Sequence, residues 1–288
     1  MKIKYLIIET LILISSCQQK EAINEDFMES KVIEYTIHSE VLNDDRSHIV
    51  YSPASAKDKS LPVLFILDGS NYFSFFKALT EQWSSKKEMV LPEMIIVAIK
   101  QKNRSSELLH SYIQEDGKGE LFLDYIEREL IPSIDSTCNT YPHRTLFGHS
   151  RGGLFALNVL VDKPTLFDNY LVSDPNLTLG NLAFLKKWKG SDVNLNIDRN
   201  SLFIGLADTK EGNTLEEVLN PDSNIYPHMR TIWAICEEIE NNKSNDDYFD
   251  WKYYDGFGHK TIPPMVAMDG LLSVLEYHRF DKYALIYS

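Results

Sequence analysis

The chain has 288 residues, of which 43% are hydrophobic and 25% charged, and its formal net charge is −13. That length and composition suit one large globular domain with a sizeable core, or two small ones, and exclude a disordered or fibrous chain. The acidity argues against a nucleic-acid partner, which would require clustered Lys and Arg for phosphate, and reads as surface solubility.

The first residues read as a segment outside the fold. Lys2 and Lys4 precede the apolar run Tyr5-Leu6-Ile7-Ile8, Glu9-Thr10 interrupts it, and Leu11-Ile12-Leu13-Ile14 resumes it before Ser15-Ser16-Cys17. A basic start, a short apolar run and small residues make an export signal, and the run is too short to span a membrane. The segment Ile14-Ser15-Ser16-Cys17 resembles a bacterial lipobox. That resemblance implies lipid attachment at Cys17 and an exported, membrane-anchored lipoprotein on the periplasmic or cell-surface side. Residues 18–30 then form a polar tether.

Val32, Tyr35 and Ile37, then Ile49-Val50-Tyr51 ended by Ser52-Pro53, predict two antiparallel edge strands. Pro62 to Leu67 is a continuous apolar run that stops at Asp68-Gly69, as expected of a strand buried on both faces. Similar runs recur at Met94 to Ile99, Thr145 to Phe147, Tyr170 to Val172 and Leu202 to Leu206, and Trp251 to Tyr254 reads as one more strand. Between them lie helical patterns. Leu121, Phe122, Tyr125, Ile126 and Leu130 make one apolar stripe, Leu154 to Val161 fits a buried helix, and Ile232 to Ile239 and Met265 to Tyr277 are amphipathic. Strands alternating with helices predict an α/β fold: a mostly parallel central sheet with helices on both faces and antiparallel strands at the N-terminal edge. No linker interrupts residues 31–288, so they form one domain. Cys17, Cys138 and Cys236 lack metal-ligand spacing and cannot build a disulfide framework; Cys138 and Cys236 could pair in an oxidising compartment, but read rather as two separate thiols.

Gly148-His149-Ser150-Arg151-Gly152-Gly153 matches G-x-S-x-G, the nucleophile elbow of α/β hydrolases. The serine sits on a sharp strand-to-helix turn, where side chains two positions to either side would collide, so glycine stands there. The context fits, with a strand ending at Phe147 and a helix opening at Leu154. Ser150 is therefore the candidate nucleophile, and the backbone N–H of Arg151 a candidate oxyanion donor. The nucleophile needs a base, and the base needs an orienting acid, in the chain order Ser, Asp or Glu, His. His259, on the loop after the strand Trp251 to Tyr254, suits the base better than His228 or His278, which fall in helical stretches. The acid is expected just past the strand Leu202 to Leu206: Asp208 first, with Glu211 and Asp222 as alternatives. A second oxyanion N–H is expected from Gly69, Ser70 or Asn71, with Gly69 the choice adopted. Tyr72, Phe73, Phe75 and Phe76 could line an acyl or aryl pocket, although such spacing more often marks core.

Several stretches resemble the putative-esterase family that includes esterase D, feruloyl esterases, trilactone-siderophore esterases and the mycolyltransferase antigens. Leu61 to Gly69 is similar to its first core strand, and Ile95 to Ile99 with Asn103-Arg104 is similar to the strand and arginine loop that follow. Glu129-Leu130-Ile131-Pro132, Arg144 to Leu154 and Pro164 to Asp168 resemble its helix, elbow and post-elbow turn. The segment Ser173-Asp174-Pro175-Asn176 departs from the Ser-Pro-Ser of many relatives. The resemblance implies a serine carboxylic-ester hydrolase that needs no metal or organic cofactor. Its substrate would be a small ester, either a siderophore-like lactone or an acylated carbohydrate. An acyltransferase on the same serine and a catalytically silent binding lipoprotein are the rival readings.

Overall fold

The computed structural model describes residues 30–85, 90–190, 200–243 and 248–278. The expected signal segment, its lipobox cysteine and nearly all of the tether lie outside the described residues.

An eight-stranded sheet runs in the order β1-β2-β4-β3-β5-β6-β7-β8. The antiparallel pair β1 (Lys31–Ser39) and β2 (Asp44–Ser52) forms one edge, and β2 pairs antiparallel with β4. From there the sheet is parallel: β4 (Ile95–Ile99), β3 (Leu61–Ile66), β5 (Thr140–His149), β6 (Asn169–Ser173), β7 (Ser201–Ala207) and β8 (Tyr248–Tyr254). This is the arrangement that the apolar runs predict, with β5 extending further toward its N-terminal end than the run Thr145 to Phe147.

The central strands β3, β4, β6 and β7 are buried at every position because both faces of the sheet are covered there. Val63, Phe65 and Leu67 enter one core, while Leu64 and Ile66 enter the other, as a period of two requires. Several helical segments follow in chain order: α1 (Gly69–Trp83), the short α2 (Arg104–Glu107), α3 (Gly119–Tyr125), α4 (Ile131–Thr137) and α5 (Arg151–Asp162). A π-helical turn at Ile126–Leu130 joins α3 to α4, so the single stripe read from the sequence is part of a longer irregular helix. Then come α6 (Leu179–Gly190), α7 (Leu215–Leu219), α8 (His228–Asn242) and α9 (Pro263–His278). Phe122 of α3, Leu154 and Phe155 of α5, and Ile232 and Ile235 of α8 fill the first core. Phe76 and Leu79 of α1 and Val266, Leu271 and Val274 of α9 fill the second. Each such side chain, taken fully from water, contributes about 1.5–3 kcal/mol, which fixes the sheet and with it the loops at its carboxyl edge.

Cys138 is half-buried and Cys236 buried, and both are free thiols. Burial pushes the Cys236 thiol well up, which keeps it protonated and inert.

Candidate active site

The turn between β5 and α5 holds Ser150 at φ +59 and ψ −114. Such a conformation costs a non-glycine residue on the order of 1–3 kcal/mol, and local hydrogen bonds offset it. The Ser150 N–H donates to the Ser173 carbonyl (2.9 Å), and the Ser150 carbonyl accepts from the N–H groups of Leu154 (3.0 Å) and Asn176 (3.0 Å). The turn also brings backbone against backbone. A Cβ on Gly148 would lie 2.2 Å from the Gly152 carbonyl oxygen, so the motif's first glycine is a steric necessity.

His259 Nε2 stands 3.1 Å from Ser150 Oγ. Its Nδ1 lies 2.5 Å from Asp174 Oδ2. The structure thus brings together the serine and histidine expected from the sequence, but with a different acid. Asp174 follows β6 directly, at φ +43, with its N–H bonded to the Gly205 carbonyl (2.8 Å). Its carboxylate is wholly buried. Oδ1 accepts from the Ala207 N–H (3.0 Å), and Oδ2 accepts from both His259 and His228 Nε2 (3.0 Å). Burial alone would push this carboxyl up, but the hydrogen bonds from His228, His259 and the Ala207 amide outweigh it and hold the group well below the usual carboxylate range.

Asp208, the acid expected from chain order, does something else. Its Oδ2 accepts from the Gly256 N–H (3.0 Å), its Oδ1 accepts from the Lys210 N–H (3.2 Å), and its own N–H donates to the Phe257 carbonyl (2.8 Å). It ties the end of β7 to the loop that carries His259. The carboxylate is spent on backbone amides and on the Lys210 ammonium (3.5 Å), whereas Asp174, one strand nearer the elbow, reaches the imidazole. Glu211 is exposed at φ +51 and Asp222 is exposed on a separate turn, so neither alternative serves. In the sequence Asp174 is legible only as an oddity: the Ser-Asp-Pro-Asn segment departs from the family pattern, and the departure itself places a carboxylate at a strand's carboxyl end.

His149, between the motif's glycine and serine, packs its ring 4.5 Å from that of His259. Its Nδ1 lies 3.1 Å from the Ser173 carbonyl, a contact that only a donated proton satisfies. Burial first, then the neighbouring His259, pushes its pKa down to about 4, which leaves it a neutral platform. Tyr72 meets the His149 ring edge-on.

Both expected oxyanion donors open helices. Arg151 and Gly69 are the first residues of α5 and α1, where N–H groups lack intrahelical acceptors. Asp68, at φ +54, turns the chain into α1, and a Cβ on Gly69 would lie 2.6 Å from the Ala98 backbone. The Asn71 N–H is taken by the Asp68 carbonyl (2.8 Å), which leaves Gly69 and Ser70 from the expected set. Arg104 locks this loop to the elbow: its Nε and Nη2 bond Asp68 Oδ1 (2.6 Å) and Oδ2 (2.9 Å), and Nη2 also reaches the His149 carbonyl (3.3 Å). Glu107, at the end of the same short helix, pairs with buried Arg46 through two bonds of 2.9 and 2.8 Å. Of the aromatic residues after Asn71, Phe76 is core, and Tyr72, Phe73 and Phe75 pack partly buried against the same core, so the core reading prevails over a pocket.

Among the described residues, a possible metal-ligand group is Asp174, His228 and His259. Its facing atoms already bond one another, as expected of an acid held between two histidines rather than of an open coordination site.

The chain is similar to known proteins in sequence and in fold. The family model described as "Putative esterase" matches residues 39–261. The ferri-bacillibactin esterase BesA of Bacillus subtilis is 40% identical over 74 residues, 25% of this chain and 26% of that protein, so the match spans only about a quarter of that relative. The uncharacterized protein YjcH of Bacillus subtilis is 29% identical over 231 residues, 78% of this chain and 89% of its own. The crystal structure of an IroE-like serine hydrolase from Shewanella oneidensis superposes with a TM-score of 0.72 at 24% identity, covering 85% of this chain and 79% of that one, a likeness of fold.

Proposed function

The chain belongs to the putative esterase family, and from that premise we propose that it is a serine carboxylic-ester hydrolase acting through an acyl-enzyme at Ser150. The observation that carries the reading is the continuous relay Ser150 Oγ, His259 Nε2, His259 Nδ1, Asp174 Oδ2, with links of 3.1 and 2.5 Å.

Ser150 Oγ attacks the ester carbonyl while His259 Nε2 takes its proton. Asp174 holds the tautomer that leaves Nε2 free to accept, and its charge stabilises the imidazolium as it forms. The carbonyl oxygen, now anionic, takes hydrogen bonds from the Arg151 N–H and from Gly69, each worth about 3–4 kcal/mol in the transition state. His259 then protonates the leaving alcohol. Water, deprotonated by the same nitrogen, releases the acid and regenerates Ser150.

The proposed substrate is a siderophore-type ester such as a catecholate trilactone. BesA, named for ferri-bacillibactin, supports this choice over an acylated carbohydrate. The test is fluorophosphonate labelling of the folded protein with peptide mapping, followed by mass analysis of enterobactin digests. Labelling at Ser150 that disappears in Ser150→Ala, with linear products released from the trilactone, is the expected result. A folded, unlabelled protein would overturn the hydrolase reading, and labelling without trilactone cleavage would overturn the substrate.

A further inference from the structure

We propose that His228 is a positioning residue of the esterase site, the second histidine on the acid, which fixes the Asp174 carboxylate so that His259 is presented to Ser150. The inference deepens the hydrolase reading and rests on it.

Asp174 Oδ2 serves two imidazoles. His259 approaches from the loop after β8, and His228 approaches from the first turn of α8 at 3.0 Å. The two rings meet edge to face, 82° apart with centroids at 5.8 Å. An ionised carboxylate only accepts, so His228 Nε2 donates. With Oδ1 held by the Ala207 amide, the carboxylate has three donors on two oxygens and no exposure to water. It can neither rotate nor gain a solvent partner. Without the His228 proton, one lone pair of a buried anion is left unsatisfied, and the Oδ2 that orients His259 loses one of its two restraints.

His228 is itself held in place. Arg230, two residues on, donates to four backbone carbonyls of the preceding segment: Val218 and Asn220 from Nη1, and Ser223 and Ile225 from Nη2, at 3.2–3.3 Å. The Tyr226 hydroxyl bonds Thr178 Oγ1 (2.5 Å), which in turn donates to Asn176 Oδ1 (2.9 Å), two residues after the acid. The segment before α8 is thus latched both to its own carbonyls and to the Asp174 loop. These bonds fix the chain on either side of His228, and with it the position from which the ring reaches Asp174.

The experiment compares wild type, His228→Ala and His228→Gln, all as the full chain, with p-nitrophenyl acetate as probe. Gln places an N–H near the Nε2 position, and Ala removes the donor. A hydrogen bond to a buried charge is worth about 10- to 100-fold in rate. His228→Ala is expected to lower kcat by that factor with KM within about twofold, and His228→Gln to recover most of it. A second readout does not need turnover. The proton between His259 Nδ1 and Asp174 should give a downfield 1H resonance in wild type and His228→Gln that broadens or moves in His228→Ala. Unchanged kcat and resonance in His228→Ala would overturn the proposal, and so would equal losses in both variants with a lowered Tm, the mark of a structural role. Failure of the hydrolase reading shows separately, as a wild type that fluorophosphonate does not label.

Discussion

Asp174 and Asp208 show how residue scale decides the site. Both stand just past the carboxyl end of a neighbouring parallel strand, but one carboxylate is wholly buried beneath two imidazoles and the other binds backbone amides of the loop above. Replacing Asp174 by Asn removes the charge that stabilises the imidazolium and leaves a side chain able to donate the wrong way, toward His259. The expected loss in kcat on a model ester is about 10³-fold, with the fold intact. Asp208→Asn weakens the acceptor toward the Gly256 and Lys210 amides and removes the ion pair with Lys210 Nζ (3.5 Å), so kcat should fall less than about tenfold and the effect should appear mainly in Tm. Steady-state kinetics of the two variants beside wild type checks the contrast, and a larger loss in Asp208→Asn would sink the assignment. The sequence could not separate these two acids because both sit in turn-forming stretches after apolar strands. The choice depends on which loop the His259 loop leans on, a contact spanning 85 residues for Asp174 and about half that many for the Asp208 bond to Gly256. Ser150 and His259 were legible because each carries local punctuation: a glycine-bounded turn for one, and a Gly-rich loop after the last strand for the other.

At the scale of elements, what the sequence announces is what burial on both faces demands. Each continuous apolar run became a strand, since a parallel strand covered by helices has no polar face to alternate. α1, like α2, α6 and α7, goes unannounced in the sequence. Its Tyr72, Phe73, Phe75 and Phe76 read as a possible pocket, yet they belong to a helix whose inner side packs against Phe147. Aromatic residues are weak helix signals, and Asp68, in a left-handed conformation, caps the helix without a side-chain hydrogen bond. The junction of β5, the elbow and α5 makes an element-scale prediction. The Gly148 Cα faces the Gly152 carbonyl, and a methyl group there would need backbone, not side chain, to move. Gly148→Ala should therefore cost at least about 3 kcal/mol and abolish soluble expression or the cooperative thermal transition. Calorimetry or the soluble yield checks it. A stable Gly148→Ala protein with wild-type labelling would mean that the turn relaxes at little cost.

The molecule as a whole is acidic and stands on buried histidines, which gives its stability a pH dependence of defined sign. His48 on β2 is buried beside Tyr35, with the two rings stacked at 5.8 Å, and burial pushes its pKa down to about 4 from an ordinary 6.5. His149 is displaced to about 4 from the same 6.5, again by burial first. A base whose folded pKa is depressed contributes stability in full above its unfolded value. That contribution is lost as pH falls toward the folded value, because the unfolded chain takes up a proton that the folded chain refuses. Asp174, depressed in the folded state, contributes in full throughout this window and loses its share only in stronger acid. Between pH 7 and pH 5 each histidine should therefore cost the fold about 2 kcal/mol. Urea unfolding at the two pH values is expected to show a fall of that order per histidine. His48→Gln should remove roughly half of it without touching the active site, since the amide carries no titrating proton. A stability that stays flat from pH 7 to pH 5 would mean that both rings reach solvent or charge at little cost. The ring under His259 would then take up a proton near its ordinary 6.5 instead of staying neutral down to about 4.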